Sequence, residues 1–311
     1  MKGIILAGGS GSRLSPSTDS INKHLLAVYD KPMIYYPLSV LMLGGIKEIM
    51  IISTPEDKSR FEGLLGDGSS LGISLIYKEQ SDPNGIPEAL TLSEYFIGKD
   101  DVTLILGDNI FYGQGFTTLL RKAIKDHEHA TVFGYRVKDA SRFGVVEFDD
   151  NQKVISLEEK PAEPKSDFAV TGLYIYDHHA VQKAKNLPFS DRGELEITDL
   201  NQAYLDKGQL DVQLLGRGFA WMDAGTHESL FDAAEFVKIT QQRQGFKLAC
   251  LEEISYYLGY ISREALYEKG KSMEKNDYGR YLLEIADRKH TKQYWDPAVN
   301  QNPMLGMIEN E

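Results

Sequence analysis

An apolar run at residues 2–7 empties into Gly8, Gly9, Ser10, Gly11, Ser12 and Arg13, and Lys23 follows ten positions after Arg13. Without Cβ atoms, the three glycines allow backbone N–H groups to approach an anion closely, and Arg13 and Lys23 add positive charge beside it. The expected ligand is a polyphosphate. A glycine cluster alone marks a tight strand-to-helix turn about as often as it marks a phosphate site; the neighbouring basic pair favours phosphate. Neither familiar glycine motif is complete. No Lys-Ser or Lys-Thr follows Gly11, and Leu14 stands where a dinucleotide fingerprint has Gly or Ala.

Two carboxylates extend this chemistry. Asp108 ends the apolar run Leu-Ile-Leu-Gly, and Asp223 follows Ala-Trp-Met and precedes Ala-Gly-Thr. Strand ends are where open α/β sheets bind ligands, and a carboxylate there can hold Mg²⁺ while leaving positions for phosphate oxygens. The alternatives are an Asp-Asn turn at 108 and helix capping at 223. Two strand-end acids with a basic glycine loop supply the parts for metal-assisted transfer at a phosphorus centre. Glu159 and Lys160 could bind a sugar hydroxyl and its phosphate, although such pairs usually mark a solvated surface. Arg192, ahead of Glu194, Glu196 and Asp199, could face substrate or open a helix whose dipole favours the acids. His127, His129, His178, His179 and His290 show no ligand spacing and are expected at the surface. Cys250 is the single cysteine, so no intrachain disulfide forms, and no nucleophile motif indicates covalent catalysis.

These side chains need a scaffold. The 311 residues are 42% hydrophobic and 26% charged, enough for a substantial α/β core. A net charge of −12 opposes general binding to nucleic acid or an anionic membrane. The most apolar stretch, 33–46, contains Pro37 and two glycines and is too short to span a bilayer; with no basic-then-apolar leader, a cytoplasmic location is expected. Strands are expected at 3–7, 48–53, 74–78 and 102–106, and helices near 35–43, 57–65 and 87–96. The expected fold is a Rossmann-like, mostly parallel or mixed sheet flanked by helices. Shorter β-rich runs at 131–137, 145–148, 154–158 and 169–176 predict a smaller β-rich part of mixed strands that supplies a substrate lid. Helical patterning returns at 196–206 and dominates 226–286. The polar stretch 287–311, with Pro297 and Pro303, is expected to be an arm or tail.

Leu6 to Leu14, Lys23-His-Leu-Leu, the segment from Tyr29 to Pro37, Leu106-Gly-Asp-Asn, Gly144 to Phe148, Glu158-Glu-Lys-Pro, Val170 to Tyr174, Gly193 to Asp199 and Trp221 to His227 occur in an order that resembles the glucose-1-phosphate thymidylyltransferases, or dTDP-glucose pyrophosphorylases, among the sugar nucleotidyltransferases. The resemblance spans residues 1–286. It implies joining dTTP to glucose 1-phosphate, giving dTDP-glucose and pyrophosphate, by direct attack on the α-phosphorus. It places Leu6, Gly8, Gly9, Ser10, Gly11, Ser12, Arg13, Lys23, Gln80, Gly85 and Asp108 around the nucleotide. Gly144, Glu159, Lys160, Val170, Tyr174 and Arg192 fall around the sugar phosphate, and Asp108 and Asp223 on Mg²⁺. Arg13, Lys23, Asp108, Lys160 and Asp223 would carry the reaction. It further implies nucleotide binding mainly by 1–130, sugar-phosphate binding mainly by 131–225, a helical oligomerisation region at 226–286, a homotetramer, a second site for an inhibitory dTDP-sugar, and a place at the start of dTDP-deoxysugar synthesis, such as that of dTDP-rhamnose.

Several residues depart from that pattern. Ser12 stands for a usual Thr, His24 for Gln, Ala27 for Pro, Pro87 and Glu88 for Ala and Gln, and Phe143 for Tyr. Changes beside the base and sugar positions keep open a pyrophosphorylase of another base or hexose 1-phosphate. A catalytically silent nucleotide sensor is the alternative of a different class, disfavoured by the joint presence of both acids with Arg13, Lys23 and Lys160.

Overall fold

A computed structural model describes residues 1–9, 11–150 and 153–288; Ser10, His290 and most of the 287–311 stretch lie outside the described residues. The strands are β1 (Lys2–Ala7), β2 (Ala27–Val28), β3 (Lys31–Pro32), β4 (Glu48–Ser53), β5 (Ser74–Glu79), β6 (Val102–Leu106), β7 (Asn109–Gly113), β8 (Ala130–Arg136), β9 (Gly144–Phe148), β10 (Val154–Glu159), β11 (Phe168–Tyr176), β12 (Leu210–Leu215) and β13 (Phe219–Asp223). The helices are α1 (Tyr35–Leu43), α2 (Pro55–Leu65), α3 (Glu88–Leu92), α4 (Glu94–Ile97), α5 (Phe116–Asp126), α6 (Ala180–Lys185), α7 (Ile197–Leu205), α8 (His227–Gln244), α9 (Leu251–Tyr257), α10 (Arg263–Ser272) and α11 (Asp277–Asp287).

The central sheet runs β5-β4-β1-β6-β11, with β8 and β12 continuing from β11 and β9 and β10 branching from its first half. Pairings among β5, β4, β1 and β6 are parallel, whereas β11 is antiparallel to both β6 and β8. The near-continuous apolar character of β1, β4 and β6 follows from this topology, since helices cover both faces of a parallel sheet. Successive side chains enter opposite cores: Ile5, Ile51 and Ile105 pack with α1, α5 and the C-terminal helices, while Ile4, Ile52 and Leu104 pack with α3, α6 and α7.

β1 has β4 on one side and β6 on the other, so the order reverses at β1. Sheets of this kind hold ligands beyond the carboxyl ends of the strands at such a reversal. The paired ends Leu6 and Leu106 bring the residues that follow, Gly8 and Asp108, to the same edge of the sheet. A separate ribbon pairs β13 with β7, setting Asp223 opposite Asn109.

Helix α8 begins with a capping box in which Thr226 and Ser229 bond reciprocally, and it ends at Gly245 in the left-handed region, φ 73°. The buried residues of α9, α10 and α11, among them Ile254, Leu266, Leu282 and Ile285, pack into the same core as α1. Any subunit contact made by this region must therefore use its outer faces. No helix among the described residues is long and apolar enough to cross a membrane.

Candidate functional site

The glycine turn leaves β1 with Gly11 in the left-handed region, φ 63°, and the Thr18 hydroxyl donates to its carbonyl at 2.8 Å. Gly8 lies so close to Gln80 that a Cβ there would sit 2.6 Å from Gln80 Oε1. A cavity of about 420 Å³ opens between this turn and the start of α2, lined by Gly9, Thr18, Asn22, Thr54, Asp57, Gln80 and Pro83 among others. The fold thus brings Leu6, Gly8, Gly9, Gly11 and Gln80 together. Gly85 is nearby in sequence, held by pairing with Leu195 at φ 108°, where a Cβ would collide with Leu195 O.

Lys23 and Asp108 meet at the end of β6. Lys23 Nζ lies 2.5 Å from Asp108 Oδ2, and Asn109 Nδ2 donates to Asp108 Oδ1 at 3.0 Å. Burial alone would raise the Asp108 pKa; the Lys23 ammonium reverses this and holds the carboxyl well below the ordinary carboxylate range. Asp223 responds the opposite way: burial and then the Asp108 charge push its pKa up, with Lys23, Arg13 and Arg142 pulling against them. A positive charge placed at both carboxylates would relieve that repulsion.

Asn109 ties this centre to the sheet. Its Oδ1 accepts from Gly172 N at 3.0 Å and from Trp221 Nε1 at 2.6 Å, joining β7 to β11 and β13. The ring of Phe143 packs 5.2 Å from that of Trp221, so the residue at 143 supports the wall between the acids and β9. Gly225 follows Asp223; a Cβ there would sit 2.8 Å from Asp223 Oδ1 and 3.1 Å from Arg13 Nη2. Arg13 and Asp223 therefore flank one glycine. Ser12 is exposed on the same turn.

A second group forms around Glu159 at the end of β10. Thr198 Oγ1 donates to its Oε2 at 2.6 Å, Arg192 Nη2 to its Oε1 at 3.3 Å, and Lys160 Nζ lies 3.2 Å from Oε1. Arg192 also bonds Glu196 through two nitrogens, at 3.1 and 2.7 Å. A Cβ on Gly144 would meet Thr198 Oγ1, Glu159 Oε2 and Val170 Cβ, so these four residues line one wall. Lys160 adopts φ 44°, uncommon for a residue with a side chain and a mark of constraint, while its N–H donates to Phe143 O. Tyr174 is 3% exposed and stacks on Tyr176, so it supports this wall from within the core.

The sequence reading missed Thr198, Arg142, Trp221 and the roles of Asn109 and Gly225 as spacers. Asn109, Thr198, Trp221 and Gly225 lie inside the motifs that carry the family resemblance, but their individual contacts depend on partners distant in sequence. Among the histidines expected at the surface, His127 differs: its ring is held between Asp101 and Ile124 O.

His24 is buried against Gly107, just past the end of β6. Asn22 Oδ1 accepts from its backbone N–H and lies 2.7 Å from ring Nδ1. Burial, then the adjacent Lys23 ammonium, lower its pKa to about 3, so the folded protein holds it neutral. The unfolded chain takes up the proton below 6.5, and stability is lost as pH falls from there. His24→Gln should remove about 2 kcal/mol of the destabilisation between pH 7.5 and 5, the linkage expected for one such group. Denaturant midpoints of both proteins at the two pH values test this; parallel losses would show that His24 is not the source.

A profile of the family described as "Nucleotidyl transferase" matches residues 2–240. A glucose-1-phosphate thymidylyltransferase of Neisseria meningitidis serogroup A is 59% identical over 288 residues, 93% of this chain and all of that one. One from Mycobacterium tuberculosis is 49% identical over 288 residues, again 93% of this chain and all of the relative. A solved Bacillus anthracis structure assigned to the same activity, in complex with sucrose, is 45% identical with a TM-score of 0.71, covering 76% of this chain and 94% of that one. A UDP-glucose pyrophosphorylase complexed with UDP-glucose, 21% identical with a TM-score of 0.68, shares the fold and covers 77% of this chain and 98% of its own.

Proposed function

This chain belongs to the glucose-1-phosphate thymidylyltransferase family of nucleotidyl transferases, and from that premise we propose that it transfers dTMP from dTTP to glucose 1-phosphate, releasing pyrophosphate. The observation that carries the reading is the convergence at the β1 and β6 ends of the glycine turn and the Lys23–Asp108 pair, with Asp223 beside them opposite Asn109 and next to Arg13 across Gly225. The Glu159 group is tied to these residues through Phe143 and Trp221.

In this reading, residues 1–130 mainly hold the nucleotide and 131–225 mainly the sugar phosphate. Backbone N–H groups of the glycine turn face the phosphates, Arg13 takes up charge on departing pyrophosphate, and Lys23 neutralises the phosphates near Asp108. Gln80 and the Gly85 backbone face the base. Glu159 accepts from sugar hydroxyls, with Gly144 and Val170 leaving room for the ring, while Lys160 and Arg192 turn from Glu159 toward the sugar phosphate. That phosphate is already anionic, so its oxygen can attack the α-phosphorus without a general base. One P–O bond forms as the bond to pyrophosphate breaks, and the rate comes from alignment and charge neutralisation.

Asp108 and Asp223 suit Mg²⁺: both are hard oxygen donors, and their mutual repulsion favours a shared cation. No group of three or more metal-ligating side chains occurs among the described residues, so phosphate oxygens and water would have to supply the remaining ligands. Bound there, the ion would offset charge developing on the α-phosphate. A homotetramer, an inhibitory dTDP-sugar site, a cytoplasmic location and supply of dTDP-deoxysugar synthesis, such as that of dTDP-rhamnose, complete this reading on family resemblance.

Direct attack can be tested by isotope exchange. Labelled pyrophosphate should enter dTTP only when the sugar substrate is present. Exchange with dTTP and Mg²⁺ alone would indicate a nucleotidylated enzyme and overturn the mechanism.

A further inference from the structure

Glu88 stands at the start of α3, beside the cavity, and both of its carboxylate oxygens are occupied by amides. Gln80 Nε2 donates to Oε2 at 2.6 Å, and Asn84 Nδ2 donates to Oε1 at 2.8 Å. Asn84 is itself anchored, its carbonyl accepting from Leu195 N at 2.7 Å. Gln80 is 6% exposed, its backbone N–H is held by Ser53 O, and its Oε1 lies beside Gly8 with no donor among the described residues.

A carboxylate can only accept, so the face of the Gln80 amide toward Glu88 must be its NH₂. Turning the amide over would set oxygen against oxygen at the same close distance. We propose that Glu88 is a positioning residue that locks the Gln80 amide with its oxygen toward the glycine turn, making the pocket selective for an imide base over cytosine. This rests on the proposed nucleotide site. Thymine and uracil present an N3–H donor flanked by carbonyls. That pattern matches an exposed amide oxygen with the second Nε2–H beside it. Cytosine presents an N3 acceptor and an exocyclic amino group, and it would leave buried polar groups unpaired unless the amide turned over. Sites built around such hydrogen bonds discriminate more strongly than apolar pockets do.

The test compares kcat/KM for dTTP, UTP and dCTP with glucose 1-phosphate in wild type, Glu88→Gln and Glu88→Lys. An ammonium at 88 demands the Gln80 oxygen and turns NH₂ toward the base. Glu88→Lys should therefore lower the dTTP-to-dCTP ratio by about tenfold or more. Glu88→Gln can still accept from Gln80 and should keep the ratio within about threefold. If the lysine variant does not fold, Glu88→Leu removes the acceptor and should lower the ratio in the same direction. Equal loss toward dTTP and dCTP in the Lys or Leu variant would overturn the role of Glu88. A wild type preferring UTP would instead sink the thymidylyl reading while the imide-to-cytosine ratio still supported this one.

Discussion

Asp108→Asn should lower kcat by about 10³-fold or more, equivalent to about 4 kcal/mol of transition-state stabilisation. The change is nearly isosteric, but it removes the charge that pairs with Lys23 at 2.5 Å and that acts on Asp223. Without it, the candidate cation site loses one of its two carboxylates. Folding should suffer as well, by about 3–5 kcal/mol, because the largely buried Lys23 ammonium is left without its carboxylate partner. Single-turnover kinetics beside a denaturant titration separate the two effects. A variant within about tenfold of wild-type kcat would remove Asp108 from the chemistry.

Gly225→Ala carries the second large effect. The new methyl would sit 2.8 Å from Asp223 Oδ1 and 3.1 Å from Arg13 Nη2, too close for either group to remain in place. Both contacts are ends of side chains and Gly225 does not need the left-handed region, so the protein can yield without unfolding. The yielding moves a candidate metal ligand and the candidate pyrophosphate partner apart. Misplacement of about 1 Å costs on the order of 10²-fold in rate. The account expects that loss in kcat with a melting temperature close to wild type. Near-normal turnover would mean that the Arg13–Asp223 spacing is not used.

The two predictions rest on different kinds of information. Asp108 carries a local signal, an acid just after an apolar run, which fits a ligand-binding strand end and an Asp-Asn turn alike; the strand itself, β6, occupies the expected span 102–106. The same holds for β4 and α1, whose observed ranges coincide with the expected 48–53 and 35–43. Continuous apolar runs and a helix with Pro37 in its first turn are local signals. Gly225 carries no such signal, since its meaning depends on Arg13 arriving from the other end of the chain.

Other elements escaped notice for identifiable reasons. The helix α5 has apolar residues at 116, 119, 120, 123 and 124, a regular amphipathic spacing that the strand-rich stretch beyond it obscured. Strand β7 starts directly after Asp108, so Asn109 read as part of a turn, whereas it begins the ribbon that carries Asp223. The expectation of one helical stretch near 87–96 became two short helices with Ser93 between them. Glu88 showed only as a departure beside the base position. Its part in orienting Gln80 emerges from the hydrogen bonds to both amides.

The most direct measurement of the central claim is pyrophosphate release with Mg²⁺, crossing dTTP, UTP, ATP, CTP and GTP against glucose 1-phosphate and several other hexose 1-phosphates. The account predicts the highest kcat/KM for dTTP with glucose 1-phosphate. Folded protein that binds these nucleotides yet releases no pyrophosphate with any pair would contradict it.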